Sequence, residues 1–374
     1  MNKVIVVGGD HHNTLGVVRS LGEKGIRPDV FIISKDGQSF VARSKYIHAL
    51  HILRNDQNIV SDLFKYYGQE KEKPVVICCY DRAASIMDLH AEKLKDFFII
   101  PGNDKQGRIT CLMNKQKMSE LAEKCGLHVP RTIYPTFLPL DDNKVDLPCI
   151  VKPLVSKDGS KNDIRICHQL EEVNEQLENI GVENVQIQRY IDKEFEYQLI
   201  GCSTGEDVII PGVSRILRPC KGSNTSFLHY EPLEGNFCDI DSCKFFVRQT
   251  GYKGLFSLEF LRDKDGTDFF MEINFRNDGN AICVTAAGVN LPYIWYLSCI
   301  GKDYSAEVNK QIIPKYIMPD SAEIRLLVTR QISVFQYLSD LIKTDRFMEF
   351  DRKDMKPFWR MLKFKYKNVW SKNI

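Results

Sequence analysis

The first 110 residues contain short apolar runs separated by amphipathic stretches with helical spacing. Short apolar runs bounded by turn residues predict buried strands, and apolar positions that recur every three to four residues predict helices. The predicted strands are Lys3–Val7, Pro28–Ser34, Val75–Cys79 and Phe98–Ile100, and the predicted helices are Thr14–Lys24 and about 82–95. Strands that alternate with helices form parallel sheets covered on both faces, so we predict an α/β domain over residues 1–110.

The turn after the first strand lacks the glycine spacing of a dinucleotide-binding domain. Gly8-Gly9 is followed only by Gly16, and no GxGxxG motif is present. We therefore predict a sheet that is Rossmann-like in architecture but has no dinucleotide site. The polar loop 10–13 follows at the carboxyl end of the strand, where open α/β sheets bind ligands. It either lines a substrate pocket or only begins the next helix.

A smaller unit over residues 111–195 mixes helices and strands without strict alternation. Its predicted elements are a helix Asn114–Cys125, a strand Cys149–Lys152, a strand Ile164–Cys167, a helix near 170–180 and a strand Val185–Arg189. Residues 196–300 are rich in predicted strands as far as Leu291–Cys299. A further strand, a helix at 332–343 and a basic tail follow. The pattern predicts α+β structure after residue 110.

The stretch 254–280 holds two apolar runs on either side of Asp265-Gly266, which is a strong hairpin signal. With this dipeptide at the centre of the turn, Glu259 lies directly opposite Glu272. Asn274 then shares the face of Glu272, because side chains alternate along a strand. Facing residues have Cβ atoms about 4.5–5.5 Å apart, a distance at which two carboxylates repel.

A divalent cation between these carboxylates would remove the repulsion. Two carboxylates and an amide oxygen are ligands that suit Mg²⁺ or Mn²⁺, which also bridge nucleotide phosphates. A solvated sheet face with two unpaired glutamates is the alternative. Arg276 lies two residues beyond Asn274, and a fixed guanidinium there can clamp a phosphoryl or carboxylate group.

Composition and charge narrow the class of protein. The 374 residues exceed a single compact core, so two or three domains are expected. The 12 cysteines are scattered without a CxxC pair, which favours buried thiols in a reducing cytosol over disulfides or zinc.

A net charge of +2 does not predict a nucleic acid partner. The N-terminus reads as a strand rather than a signal peptide, and we expect a cytoplasmic protein.

The tail differs from the rest of the chain. Residues 351–374 carry eight Lys and Arg against two Asp. Apolar positions at helical spacing are Trp359, Leu362, Tyr366 and Trp370, with Arg360, Lys363 and Lys367 between them. Such a basic amphipathic helix either contacts an anionic membrane surface or docks on the protein itself.

Four motifs together resemble the ATP-grasp superfamily, in particular its carboxylate–amine ligases and carbamoyl-phosphate-synthase-like members. The motifs are MNKQKMSELAEKCGLHVPRT at the domain's opening, CIVKP in its second lysine strand, QRYIDKEFEYQL in its hinge and LEF…MEINFRNDGN at its metal-binding end. The resemblance covers roughly 111–300 together with the preceding α/β domain. It implies a Rossmann-like pre-ATP-grasp domain over 1–110, a two-lobed ATP-grasp domain over 111–310 (lobes about 111–190 and 191–310) and an extension over 311–374.

The resemblance also implies ATP and Mg²⁺ (or Mn²⁺) as cofactors, with roles for particular residues. The implied ATP contacts are Lys115 and Lys152 on the phosphates, Ser156, Gly159 and Ser160 in a covering loop, Gln188, Arg189, Tyr190 and Ile191 in the adenine hinge, and Glu196 on the ribose. The implied metal ligands are Glu259, Glu272 and Asn274, and the implied catalytic residue is Arg276. Glu194 is a rival for the ribose role, and Phe275 stands where the family commonly has proline.

The activity implied by the resemblance is a ligase that turns a carboxylate into an acyl phosphate and couples it to an amine, most often of an amino acid. The expected partners are these small-molecule substrates and, as is common in the family, a second copy of the chain. An ATP-grasp kinase or phosphotransferase and a nucleotide-binding module without turnover remain alternatives. Candidate substrate contacts between Ser214 and Tyr230 are Arg215, Arg218, Lys221 and His229.

Overall fold

A computed structural model describes residues 2–136, 140, 145–153, 164–181, 185–218, 227–233 and 237–370. The N-terminal domain is a parallel sheet of four strands in the order β3-β2-β1-β4, with helices on its faces. Its strands are β1 (Val4–Gly9), β2 (Asp29–Ile33), β3 (Leu50–Leu53) and β4 (Val75–Cys78). Its helices are α1 (His12–Gly22), α2 (Ile59–Tyr67), α3 (Asp81–Leu89), α4 (Ala91–Leu94) and α5 (Arg108–Leu112), with a 3-10 turn at Val41–Arg43.

The predicted parallel sheet is confirmed, with two corrections to its strands. The predicted strand Phe98–Ile100 is wrong, because Ile99 forms only an isolated bridge to Val75. The fourth strand is instead β3, which pairs with β2 at the edge of the sheet. Leu50 and Ile52 of this strand are partly exposed, so β3 lacks the continuous apolar run by which buried parallel strands are recognised.

The small lobe is an antiparallel sheet in the order β5-β8-β6-β7, covered by one helix. Its elements are β5 (Thr132–Ile133), β6 (Cys149–Pro153), β7 (Arg165–Cys167), α7 (Leu170–Ile180) and β8 (Val185–Arg189). The helix that precedes them, α6 (Lys115–Lys124), packs on the large sheet. Val151, Cys167 and Ile187 pack against Val173 and Leu177 of α7 in a core of its own. Each predicted element of this unit is present to within about two residues at each end.

The large lobe is built on an eight-stranded sheet with the order β14-β13-β9-β11-β12-β15-β16, with β10 paired to β9. Its strands are β9 (Lys193–Ser203), β10 (Val208–Ile209), β11 (Gly212–Ile216), β12 (Leu228–Pro232), β13 (Gly254–Asp263), β14 (Asp268–Asn274), β15 (Lys315–Met318) and β16 (Arg346–Phe347). Its helices are α8 (Ile240–Thr250), α9 (Ile282–Ala286), α10 (Leu291–Cys299), α11 (Ser305–Val308), α12 (Asp320–Val328), α13 (Val334–Lys343) and α14 (Lys356–Trp370). The predicted boundary at residue 310 therefore falls between strands of one sheet.

Two apolar cores cover the two faces of this large sheet. One core holds Leu199 and Phe256 against Met118 of α6 and Phe246 of α8. The other holds Ile200, Tyr230 and Ile317 against helices α1, α9 and α10, and it also includes the strands of the N-terminal domain. The second core therefore joins the N-terminal domain to the large lobe and places the carboxyl end of β1 beside the end of β14.

The C-terminal helix α14 docks on this second core through its first turns. Met361 is buried there, and Phe358 and Leu362 pack against the core from its edge. Of the predicted apolar face, Leu362 faces the protein while Trp359 is 59% exposed. The Tyr366 and Trp370 side chains lie outside the described residues. Within the parts of the chain that the structure describes, no helix combines the length and the apolar character needed to cross a bilayer.

Candidate active site

The hairpin β13–β14 places the two predicted carboxylates opposite each other. Glu259 pairs with Glu272 and Ser257 pairs with Asn274, as the sequence predicted. The turn itself was predicted wrongly. It is closed by the Asp263 N–H donating to the Thr267 carbonyl at 3.0 Å, so it is longer than the dipeptide 265–266.

A β-bulge compensates for the longer turn. The register shifts between Glu259 and Phe260, so that Phe260 pairs with Phe270 and Met271 is the extra residue. A bulge of one residue reverses the facing of every side chain beyond it. The Glu259–Glu272 pair survives because the extra residue of the turn and the bulge offset each other.

Burial and the neighbouring carboxylates of Glu272 and Asp278 raise the pKa of Glu259 to about 8, although Arg276 opposes them. Its Oε1 accepts hydrogen bonds from Asn274 Nδ2 at 3.0 Å and from Gln198 Nε2 at 3.3 Å. A cation between the two carboxylates would favour the ionised form of both. The donor set therefore fits a divalent metal that prefers oxygen ligands.

Asn274 fits this metal set only through its amide oxygen. In the structure, that oxygen accepts from Arg276 at 3.0 Å while the amide nitrogen faces Glu259. A metal contact therefore needs a rotation of the amide that turns this oxygen from Arg276 toward Glu259. Within the described residues there is no metal-type cluster of three or more His, Cys, Asp or Glu side chains. The candidate metal site thus rests on two carboxylates and one amide.

Arg276 is fixed at the base of the site by carboxylates on two sides. Its Nε donates to Asp81 Oδ1 at 3.0 Å, and its Nη1 donates to Asp278 Oδ2 at 3.2 Å. Burial alone would lower the pKa of Arg276, but Asp81, Asp278 and Glu259 together raise it. The guanidinium is therefore a permanent, oriented cation beside the facing carboxylates.

The turn after Arg276 is tied to the N-terminal domain by Asn13. The Asn13 Nδ2 donates to the carbonyls of Cys79 and Asn277 at 2.8 Å each, and the Asn277 Nδ2 donates to Asn13 Oδ1 at 2.6 Å. His11 accepts from the Asn13 N–H and caps α1, so the predicted loop 10–13 begins the helix. A role of this loop in a substrate pocket stays a prediction.

The two predicted phosphate lysines lie on different units, because α6 packs on the large sheet and β6 belongs to the small lobe. Lys115 is the first residue of α6, and Lys152 is on β6. Lys152 donates to Gln188 Oε1 at 2.8 Å. Burial and the charge of Lys115 lower the pKa of Lys152 to about 8, while Glu272 opposes the shift. The structure therefore brings both lysines and one metal-site carboxylate to the same cleft.

The predicted adenine hinge connects β8 to β9, and part of its backbone is already paired. The Arg189 N–H donates to Arg131 O at 2.9 Å, and the Tyr190 N–H donates to Pro148 O at 3.0 Å. Gln188 and Ile191 are buried. Two of the four hinge amides are therefore already paired within the fold.

Glu196 lines a small cavity of about 80 Å³ together with Glu259, Ile216 and Met271. Lys193 forms an ion pair with Glu196 at the edge of this cavity. The rival Glu194 is exposed and is not among the residues that line the cavity. The cavity joins the predicted ribose contact to the predicted metal site, and Ile216 and Met271 supply apolar surface of the kind that a base packs against.

The remaining predicted contacts are less informative. Ser156, Gly159, Ser160 and Lys221 lie outside the described residues. Arg218 pairs with the carboxylates of Glu323 and Asp340, which are both buried, so it is used within the fold. Arg215 stacks over Phe195 at 4.0 Å, and His229 lies 3.4 Å from Glu231.

Sequence analysis missed four polar residues that support the site. They are Gln198, Ser257, Asp278 and Asn280, all buried. Ser257 donates to Asp278 at 2.9 Å, and Asn280 donates to Gln198 at 2.8 Å. A sequence signal existed for Gln198, because the alternation of β9 puts it on the face of Glu259, with which it pairs.

Comparisons with solved structures identify the fold. The L-amino acid ligase of Bacillus licheniformis is 16% identical, with 85% of this chain and 80% of that chain covered and a TM-score of 0.62. The N5-carboxyaminoimidazole synthetase of Staphylococcus aureus is 15% identical, with 85% and 84% covered and a TM-score of 0.63. The biotin carboxylase domain of the Hydrogenobacter thermophilus 2-oxoglutarate carboxylase, solved with MgADP and bicarbonate, is 17% identical, with 83% and 73% covered and a TM-score of 0.60.

No protein-family model matches the sequence, and no curated protein matches it either. The three matches cover 83–85% of this chain and therefore include parts of both the N-terminal domain and the lobes that follow it. The chain therefore has the ATP-grasp fold, and the fold predicted from the four sequence motifs is confirmed.

Proposed function

We propose that this protein is an ATP- and Mg²⁺-dependent ligase that activates a carboxylate as an acyl phosphate and couples it to an amine. The observation that carries the proposal is the pairing of Glu259 with Glu272 beside the fixed guanidinium of Arg276. Together with the predicted phosphate lysines Lys115 and Lys152, these groups supply the charges that a metal-bound triphosphate requires.

In this proposal the lysines neutralise the triphosphate, and the hairpin holds the metal. Lys115 and Lys152 offset the charge of the ATP phosphates, and Glu196 accepts hydrogen bonds from the ribose. Mg²⁺ bound by Glu259 and Glu272 would neutralise charge on the phosphates. A substrate carboxylate oxygen attacks the γ-phosphorus in line, so that a new P–O bond forms, the bond to the β-phosphate oxygen breaks and ADP leaves.

The second step joins the amine to the activated carbonyl carbon. The amine nitrogen attacks, phosphate leaves with the electrons of the C–O bond, and the nitrogen loses one proton. Arg276 is placed to stabilise the acyl phosphate and the tetrahedral oxyanion that follows. Its hydrogen bonds to Asp81 and Asp278 hold the guanidinium before substrate arrives, so no reorganisation is needed during the reaction.

The substrate class is a finer part of the same proposal. One structural neighbour is an L-amino acid ligase, which supports an amino acid as one reactant. The site itself has a fixed arginine whose positive charge can attract a carboxylate. We infer that at least one of the two substrates carries a free carboxylate beyond the one that is activated.

The test uses purified full-length protein with Mg²⁺-ATP, pools of amino acids and small carboxylates, and hydroxylamine as the trapping amine. ADP, free phosphate and hydroxamate are measured together. Hydroxamate formed together with ADP is the expected result, and the active pool names the carboxylate. ADP formed with neither free phosphate nor hydroxamate would mean that phosphate stays on the product, and the ligase proposal would be replaced by a kinase.

A further inference from the structure

Helix α13 is amphipathic, but its apolar side faces away from the protein. Phe335 and Ile342 are each 86% exposed, and Val334 and Leu338 are 59% and 47% exposed. At 3.6 residues per turn these four side chains fall within an arc of about 100°. We call them the α13 face.

One polar residue of the same helix is turned inward. Asp340 is only 3% exposed and forms an ion pair with Arg218, which also pairs with the buried Glu323. Gln336 donates to Asp340 from one turn earlier. Asp340 lies on the side of the helix opposite the α13 face. The orientation of the helix is therefore fixed by a buried ion pair, and the apolar exposure is not the result of a loosely packed helix.

The exposed charges on and next to this helix are mainly basic. Val328 at the end of α12 adds a further side chain that is 56% exposed. Arg330 precedes α13 and Lys343 ends it, and both are exposed. The exposed carboxylate that follows the helix, Asp345, is paired with Lys315 at 3.2 Å. An exposed apolar stripe flanked by cations, with this carboxylate already paired, fits a lipid surface that has an apolar interior and anionic headgroups.

We propose that α13 and the end of α12 dock on an anionic lipid surface, with the α13 face inserted among the acyl chains. The basic residues would then contact the headgroups. Lys and Arg side chains near an anionic leaflet strengthen such binding, and added salt weakens it. The proposal concerns α13, which is distinct from the tail 351–374.

A second copy of the chain fits this face less well. Each partner in a specific dimer contributes about 800 Å² and roughly 20–30 residues, many more than these five side chains. In a two-fold dimer the same surface faces itself, so Arg330 and Lys343 would face their own copies.

The experiment is flotation of the full-length protein with vesicles of phosphatidylcholine containing phosphatidylglycerol, and with vesicles of phosphatidylcholine alone. The wild-type protein should float with the anionic vesicles and much less with the neutral ones. The double variant F335S/I342S should float at least about tenfold less, because two large apolar side chains no longer insert. Both positions are exposed, so the fold should tolerate the changes.

The matched control is Ile313→Ser, which removes an apolar side chain that is 55% exposed elsewhere on the surface. This variant should float like the wild type. Equal flotation of F335S/I342S and wild type would overturn the proposal and would leave the tail as the lipid contact. A wild-type dimer that does not float, and that dissociates in F335S/I342S on sedimentation, would overturn it in favour of a second copy.

Discussion

At the scale of single residues, the cleft is organised by two pairs of like charges. Glu259 faces Glu272, and the charge of Lys115 acts on Lys152. Each pair destabilises the ligand-free protein, because two like charges in partly buried positions repel each other. Structures retain such pairs where a ligand of the opposite charge removes the cost. A metal between the carboxylates and a triphosphate beside the lysines would remove both costs together.

The variant Glu272→Gln tests the proposed metal site. Glutamine has nearly the shape of glutamate but carries no negative charge, so it would bind Mg²⁺ more weakly. The kcat for ATP turnover should therefore fall by more than about 10²-fold. The free energy of unfolding in the absence of ligand should stay the same or rise, because the repulsion with Glu259 is lost. Assays of ADP release together with urea unfolding measure both quantities.

The control for this change is Glu206→Gln, which neutralises an exposed glutamate outside the site and should leave ADP release unchanged. Full activity in Glu272→Gln would refute the metal assignment. Lost activity with a much lower free energy of unfolding would show that Glu272 has a structural role instead.

The proposed interaction of Lys115 with Lys152 predicts that kcat/KM for ATP depends on pH. Burial and Lys115 lower the pKa of Lys152 to about 8, so its ammonium is present below that pH and is lost above it. The value of kcat/KM for ATP should therefore decline as the pH rises through about 8. In Lys115→Gln the cation that lowers the pKa is gone, so the decline should move to higher pH while kcat/KM itself falls about tenfold or more.

The pH profile of kcat/KM for ATP checks this prediction, with Lys124→Gln as the control at the other end of the same helix. Lys124 is exposed, and its removal should leave the profile in place. A decline at the same pH in wild type and Lys115→Gln would mean that the lysines do not interact in the free enzyme.

At the scale of elements, sequence patterns predicted which residues pair in the hairpin but not the length of its turn. The Glu259–Glu272 pairing is correct because the alternation of apolar residues fixes which face each strand buries. The two-residue turn is wrong, and the bulge at Met271 had no sequence signal. The strands and helices of the small lobe follow from local pattern in the same way. The edge strand β3 does not, because its partly exposed side chains resemble those of a loop.

What no local pattern predicts is the contact between distant elements, and Asn13 illustrates this. Its bonds reach the end of β4 and the turn after Arg276. In Asn13→Ala these buried groups lose their partners, so the free energy of unfolding should fall by about 2–4 kcal/mol. Because Arg276 precedes this turn, kcat should fall by at least about tenfold as well.

Urea unfolding and the hydroxamate assay measure the two effects of Asn13→Ala. Asn309→Ala, at an exposed asparagine, is the control and should change neither. If stability falls but kcat per folded molecule does not, then Asn13 supports only the fold.

At the scale of the whole molecule, the C-terminal segment holds the N-terminal domain against the large lobe. Arg19 of α1 is 1% exposed and donates to Asp354 Oδ2 at 3.1 Å, to the Asp354 carbonyl and to the Met348 carbonyl. The Asp354 carboxylate also accepts from Ser44 and from the Lys45 N–H. The segment that follows β16 is thereby attached to α1 and to the turn at Val41–Arg43.

This attachment predicts that Asp354→Ala is far more damaging than its place near the chain's end suggests. The change leaves the Arg19 guanidinium buried without its carboxylate, so the free energy of unfolding should fall by about 3–5 kcal/mol. The double variant R19M/D354A removes the charge as well and should recover part of that loss. Urea unfolding measures both, with Asp96→Ala at an exposed position as the control. Equal stability of the Asp354→Ala and Asp96→Ala variants would mean that the tail contributes little, and that the N-terminal domain is held by the apolar core around Leu15 and Ile282 alone.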